Sequence, residues 1–351
     1  MPSGRTFGVS GGASRRNVAV RSIMTLLSIL DLCPIAEGET PVEALRKSRE
    51  LAQAAERLGF HRLWVSEHHN MQGTASAATA VIISHLAAVT RSMRIGSGGV
   101  MLPNHAPYAV AEQFGTLGAL YPGRIDLGLG RSPGTDQLTV RALRRDPRAS
   151  ERFAADLQEL QFFLGQAAAD QPVRAIPGEG SDVPIWLLGS SLSNVQLAAA
   201  AGLPFTFAAH VSPNGLMEAI HLYRSRFTPS KQLEAPHFMI CINVFAAETD
   251  EEARHQFSSA QRGLVNFFRG KIGRVQPPVD DIEAVWTPQE KAMIEHMHQL
   301  TIVGSPATVQ SRLRELIAAT KVDEIMIAGN FFDPAARIRS LELISAMDLK
   351  S

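Results

Sequence analysis

Tyr121-Pro122-Gly123-Arg124-Ile125-Asp126-Leu127-Gly128-Leu129-Gly130-Arg131-Ser132-Pro133-Gly134-Thr135-Asp136 is the most informative stretch of this chain. Pro122-Gly123 makes a turn that feeds a short apolar strand, Ile125–Leu129. The strand ends at Gly130-Arg131 and gives way to a loop of Ser, Pro, Gly and Thr. A small residue and then an arginine at the carboxyl end of a buried strand is a way to approach a phosphate. Glycine leaves room for it, and the guanidinium supplies a fork of donors. The same arginine could instead neutralise a nearby aspartate.

Outward from this strand, short apolar runs alternate with segments of helical period. The strand candidates are 26–30, 62–65, 93–100, 125–129, 184–188, 205–208, 238–245 and 324–327. Thr40-Pro41-Val42-Glu43 is a capping box with proline at the first helical position, and Gly59 closes that helix. Helical period continues in 75–90, 106–120, 149–164, 194–201, 213–227, 250–269 and 306–320. Strands alternating with helices imply βαβ units and a parallel sheet, either an open doubly wound sheet or a closed cylinder. Eight units in this length, with no G-x-G-x-x-G after the first strand, favour a single (β/α)8 TIM barrel. The rhythm breaks between the seventh and eighth strands, from Ala246 to Val322. That insertion is either a lid over the barrel mouth or a passive surface excursion. Residues 165–183 form a second irregular stretch.

The 351 residues are 45% hydrophobic and 19% charged, with 34 basic and 34 acidic side chains. This balance offers no surface for nucleic acid or an anionic membrane, and no apolar run is long enough to span a bilayer. Cys33 and Cys241 are too few for a disulfide framework and read as reduced, buried thiols of a cytoplasmic protein. Before Asp31 the chain has Arg5, Arg15, Arg16 and Arg21 among Ser and Gly and has no acid. Residues 1–22 are expected to be a disordered extension, and residues 23–351 one barrel domain.

In such a barrel the site lies at the carboxyl ends of the strands. Those ends read Glu67-His68-His69-Asn70, Gly98-Gly99, Gly130-Arg131-Ser132, Gly189-Ser190-Ser191, His210 and Gly329-Asn330. Ser190, Ser191 and Ser193 open a helix whose free N–H groups, with Arg131, would make a phosphate clamp. Plain capping by Ser193 or Asn194 is the alternative. Adjacent His68 and His69 point to opposite faces of an extended strand, so a metal is not expected there; one imidazole is better placed to move a proton. His105 and His210 are weaker candidates. No G-x-S-x-G elbow, reactive cysteine or paired carboxylate supports other hydrolytic or nucleophilic chemistry.

Trp64–His69, Arg94–Pro103, Tyr121–Asp136 and Ile302–Pro306 together resemble the bacterial luciferase-like monooxygenases, in particular their flavin-dependent MsnO-type subgroup. The resemblance covers 24–347. It implies a TIM barrel that uses reduced FMN and O2 to oxidise a small organic substrate. It assigns the flavin phosphate to Arg131 with Ser190, Ser191 and Ser193, counts Gly189 before these serines among the cofactor-binding residues, places the ring near Gly98 and Gly99, and gives proton handling to His68 with neighbouring His69. It also implies a homodimer, and the lack of a nicotinamide motif implies a separate flavin reductase. Gly130 and Gly189 stand where luciferase has a reactive cysteine and a glutamate, so light emission with a long-chain aldehyde is not implied. A deazaflavin- or FMN-dependent hydride-transfer enzyme, or a non-catalytic flavin-binding protein, could share these features.

Overall fold

The computed structural model describes residues 25–349; the extension expected at 1–22 lies outside them. Strands β1 (Leu26–Asp31), β2 (Arg62–Val65), β3 (Arg94–Met101), β4 (Ile125–Gly130), β5 (Ile185–Gly189), β6 (Phe205–Phe207), β7 (Phe238–Ala246), β8 (Ile302–Gly304) and β9 (Glu324–Ala328) are all parallel. Eight of them close a barrel in the order β1-β2-β3-β4-β5-β6-β7-β9, with β9 returning to β1. The expected TIM barrel is therefore present, and its eight strands are the eight read from the sequence. The ninth, β8, pairs only with the far end of β7, Val244–Ala246.

The helices are α1 (Pro41–Arg57), α2 (Thr79–Ala88), α3 (Pro107–Leu120), α4 (Gln137–Ala142), α5 (Phe153–Leu164), α6 (Leu192–Ala201), α7 (Leu216–Arg226), α8 (Asp250–Phe268), α9 (Pro288–Met297), α10 (Pro306–Thr320) and α11 (Pro334–Ser345). Thr40 caps α1 in the reciprocal box expected of it. Thr287 and Glu290 form a second box at the start of α9. The main core lies between the barrel wall and this helical ring, where alternate strand residues such as Leu63, Ile95, Leu127, Leu187 and Ile325 are fully buried.

The opposite faces of the strands fill the barrel. Leu30, Trp64, Trp186, Met239, Cys241, Met326 and Ala328 form a separate buried cluster in its middle. At the amino ends of the strands the filling is ionic. Arg62 donates to Asp126 at 2.7 Å and to Glu324 at 2.8 Å; Arg94 reaches Asp126 at 2.6 Å, and His237 meets Glu324 at 3.2 Å. Trp64 Nε1 also donates to Asp126, and the Arg62 guanidinium lies 4.6 Å from the centre of the Trp186 ring. Burial alone would raise the Glu324 pKa; Arg62, His237 and Ser28 outweigh it and hold the group at about 2. A buried network of this kind costs about 3–5 kcal/mol when one partner is removed. It plugs one end of the barrel and leaves the other end for chemistry.

Between β7 and β9 the inserted segment folds on α8. Val265, Trp286 and Ile294 make a small core of their own. The segment reaches back across the carboxyl ends of β1 and β2: Val275 exchanges backbone hydrogen bonds with Ile35 and Glu37 at 3.0 and 2.8 Å. A Cβ on Gly73, in the loop after β2, would lie 2.3 Å from Gly273 O. The insertion therefore rests directly on the loops that border the mouth.

Candidate functional site

Glycine sets the geometry on the β3–β5 side of the mouth. A Cβ on Gly128 would lie 2.1 Å from Ser97 O, and one on Gly130 2.5 Å from Met101 Sδ. Position 130 therefore has no room for a cysteine while Met101 stays in place. Gly98 is half-buried, where Leu30 and Trp64 already fill the space a Cβ would need. Gly99 is buried against Gly128 O and Leu188, so packing alone requires it. Gly189 has φ +148°, and a Cβ there would meet Asn194 Nδ2 at 3.0 Å. That amide donates to Leu188 O, which ties the end of β5 to α6.

The strand ends bring Arg131 and the start of α6 together. Arg131 Nη1 donates to Ser193 Oγ at 3.0 Å and Nε to Ser150 O at 3.3 Å. Among the described residues no carboxylate pairs with it, so the charge-neutralising reading of this arginine does not hold. The helix cap is Ser191, whose hydroxyl accepts from Asn194 N–H; Ser193 and Asn194 do not cap. Ser193 Oγ lies 3.2 Å from Ser191 Oγ, and Ser190 is half-buried beside them. A half-buried guanidinium with three of its five N–H groups free, two hydroxyls and a helix N-terminus form a donor set that suits a phosphate monoester.

The Glu-His-His motif divides into two units. His68 follows Arg62, Trp64 and Ser66 on the side of β2 that faces the barrel interior. A chain of hydrogen bonds orients its ring. Ser76 donates to Leu32 O at 3.3 Å, Ser66 donates to Ser76 at 2.9 Å, and Ser66 Oγ then accepts from His68 Nδ1–H at 3.2 Å. This network leaves the Nε2 lone pair as the free site of the ring. Burial lowers the His68 pKa against the opposing pull of Glu67, so the imidazole is neutral at pH 7.

His69 belongs to a different cluster. Its Nε2 lies 2.9 Å from Glu67 Oε1, and His105 Nε2 approaches the same oxygen at 2.8 Å. Met101 N–H and Asn104 Nδ2 also donate to Glu67. Burial would raise this carboxyl, but the hydrogen bonds from His105 and His69 hold it at about 2. The cluster has the composition of a metal site, and ligand atoms of Glu67, His69 and His105 all lie within 4.8 Å of one another. Its N···O lengths are those of imidazole N–H groups donating to a carboxylate. It also locks loops: Asn104 reaches Pro133 O, Thr135 reaches His69 O, and Asn70 reaches Asp136. The loops after β2, β3 and β4 are thereby fixed together around Arg131. The sequence hinted at this only by a glutamate and two histidines at strand ends.

Across the mouth, His210 follows β6. Burial pushes it down to about 4, and its Nδ1 is buried without a partner. Cys33 and Cys241 are both unpaired and buried. No described helix is long and apolar enough to cross a membrane.

A closed parallel barrel with a phosphate-suited clamp and a neutral imidazole at one mouth is the layout of a barrel enzyme. The chain belongs to the luciferase-like monooxygenase family, whose model matches residues 24–324. It is 49% identical to a luciferase-like monooxygenase of Escherichia coli K12, over 92% of this chain and 96% of that one. It is 35% identical to the N-acetyl-S-alkylcysteine monooxygenase of Bacillus subtilis, over 92% and 98%. The crystal structure of apo-MsnO8 superposes with a TM-score of 0.81 at 32% identity, covering 92% of this chain and 97% of that one.

Proposed function

We propose that this chain is a monooxygenase that takes reduced FMN from a separate flavin reductase and uses O2 to oxidise a small organic substrate. The observation that carries the proposal is Arg131, unpaired by any described carboxylate and joined to Ser193 at the start of α6, at the same mouth as His68. The residues fit FMN: Arg131 and the hydroxyls of Ser190, Ser191 and Ser193 would hold its phosphate, and Gly98 would lie along its ring. Bound reduced flavin supplies two electrons; one oxygen atom goes to the substrate and the other leaves as water.

The chain's own part is to bind, orient and shield. The Glu67 cluster holds the three loops that aim Arg131 and His68. His68 Nε2 accepts a proton from the reacting centre, and the Ser66–Ser76 chain keeps the ring oriented as it does so. His69, committed to Glu67, positions rather than reacts. The insertion resting on the loops after β1 and β2 limits water at the mouth. A thioether is the first substrate class to test, because the Bacillus relative is named for one. The two unpaired, buried thiols support a cytoplasmic location. A homodimer would find a largely apolar face on α2 and α3, where Val81 is 69% and Leu120 58% exposed.

The test is oxygen-dependent turnover by purified protein given reduced FMN and candidate thioethers. The clamp alone also suits a deazaflavin phosphate, so titration with both cofactors separates the two readings. Tight FMN binding with no oxygenated product from any substrate would point to a flavin carrier.

A further inference from the structure

Strand register places a second set of polar groups on the β6–β7–β9 wall, opposite Arg131. Met239 and Cys241 of β7 lie in the barrel's internal cluster, so Asn243 and Phe245 continue that face toward the mouth. Asn243 pairs in register with Ala328, which puts Asn330 beside Phe245. On the other side, His210 N–H donates to Cys241 O at 2.8 Å, and Asn243 Nδ2 donates to His210 O at 3.3 Å. His210, Asn243 and Asn330 thus stand side by side at the ends of three neighbouring strands.

Two of these three carry buried, unpartnered side-chain atoms, His210 Nδ1 and Asn330 Oδ1. Buried polar atoms are ordinarily paired, and leaving one unpaired is destabilising. Both follow strands that flank β7, so the two missing bonds fall in one region of the mouth. Beside them runs a ladder of rings: Phe331 lies 4.5 Å from Phe245, Phe245 is 5.1 Å from Phe257, and Phe257 is 4.9 Å from His298. No carboxylate, lysine or arginine belongs to this set.

We propose that His210 and Asn330, with Asn243 holding His210 in place, recognise a secondary amide of the substrate, while the aromatic ladder takes its apolar part. An amide offers an N–H for Asn330 Oδ1 and a carbonyl for the His210 ring N–H at neighbouring positions. The acetamido group in the name of the Bacillus relative's substrate is of this class. The inference rests on the monooxygenase reading of the mouth.

The test compares N-acetyl-S-benzylcysteine with 3-(benzylthio)propanoate, the same thioether without its acetamido group. Binding to the protein loaded with oxidised FMN is measured by calorimetry, and turnover is measured separately with reduced FMN. Wild type is expected to bind the amide about tenfold more tightly, as one or two buried hydrogen bonds imply. Asn330→Leu is expected to bring the two affinities within about twofold and leave FMN affinity unchanged. His210→Phe gives the same comparison should Asn330→Leu fold poorly. Equal binding of both compounds by wild type, binding of neither, or an unchanged preference in both variants overturns the proposal. A retained amide preference without oxygen-dependent turnover supports the subsite and defeats the monooxygenase reading instead, so the two failures are distinct.

Discussion

Replacing Arg131 by leucine removes the guanidinium that reaches Ser193 at the start of α6 and leaves the clamp with hydroxyls and a helix end. In the structure two of its five N–H groups are spent on Ser150 O and Ser193 Oγ, so three remain for a phosphate. A charge-assisted, bidentate contact to phosphate is worth about 2–4 kcal/mol when desolvated. Arg131 is only half-buried, so the lower end applies: about 2 kcal/mol, or about 30-fold in Kd. The assay is quenching of flavin fluorescence, run with FMN and with riboflavin, which lacks the phosphate. Wild type should prefer FMN clearly; Arg131→Leu should lose most of that preference and keep its affinity for riboflavin. Thermal stability should barely move, because among the described residues the side chain has no buried ionic partner. Equal FMN affinity in wild type and variant, or no preference for FMN in wild type, refutes the clamp.

Further outcomes test the rest of the account. His68→Ala should lower turnover sharply and remove the acid limb of the kcat/KM profile. In wild type that limb should lie below the usual histidine range, because burial lowers the His68 pKa and the base stays available until the pH falls through the lowered value. Stability should be fully present above about pH 4.5 and decline as the pH falls toward 2, because Glu67 and Glu324 are held at about 2 in the fold. Each contributes about 3 kcal/mol in that window by linkage, and acid titration of the circular dichroism signal reads their loss. Gly73→Ala should push the insertion off the loop after β2, since the new Cβ meets Gly273 O, and should raise the reduced flavin consumed per product formed. Gly128→Ala should cost about 3 kcal/mol or more in denaturant titration, because Ser97 O sits 2.1 Å from the added methyl and backbone cannot yield cheaply.

The barrel strands were legible because each is a short apolar run buried on both faces, bounded by Gly, Pro or a capping residue. β8 escaped notice: three residues pairing only with the overhang of β7 leave no periodic signal. α9 and α11 should have been found. Thr287-Pro288 with Glu290 repeats the chemistry of Thr40-Pro41 with Glu43, and Asp333-Pro334 is another capped start. The Arg131–Ser193 meeting was readable, because strand ends in a parallel barrel converge on one rim. The shared carboxylate of Glu67 was not, since Met101, Asn104 and His105 lie 34–38 residues away from it. The ionic plug was missed for a different reason. Arg62, Arg94, Asp126 and Glu324 each look like ordinary charged residues at the start of a strand, and only closure of the barrel makes them neighbours.

The most direct measurement is a single turnover of the protein with reduced FMN, isotope-labelled O2 and N-acetyl-S-benzylcysteine, followed by mass analysis of the product. The account predicts a product carrying one labelled oxygen atom, formed only when O2 is present. A product that forms without O2, or whose added oxygen comes from water, would contradict it.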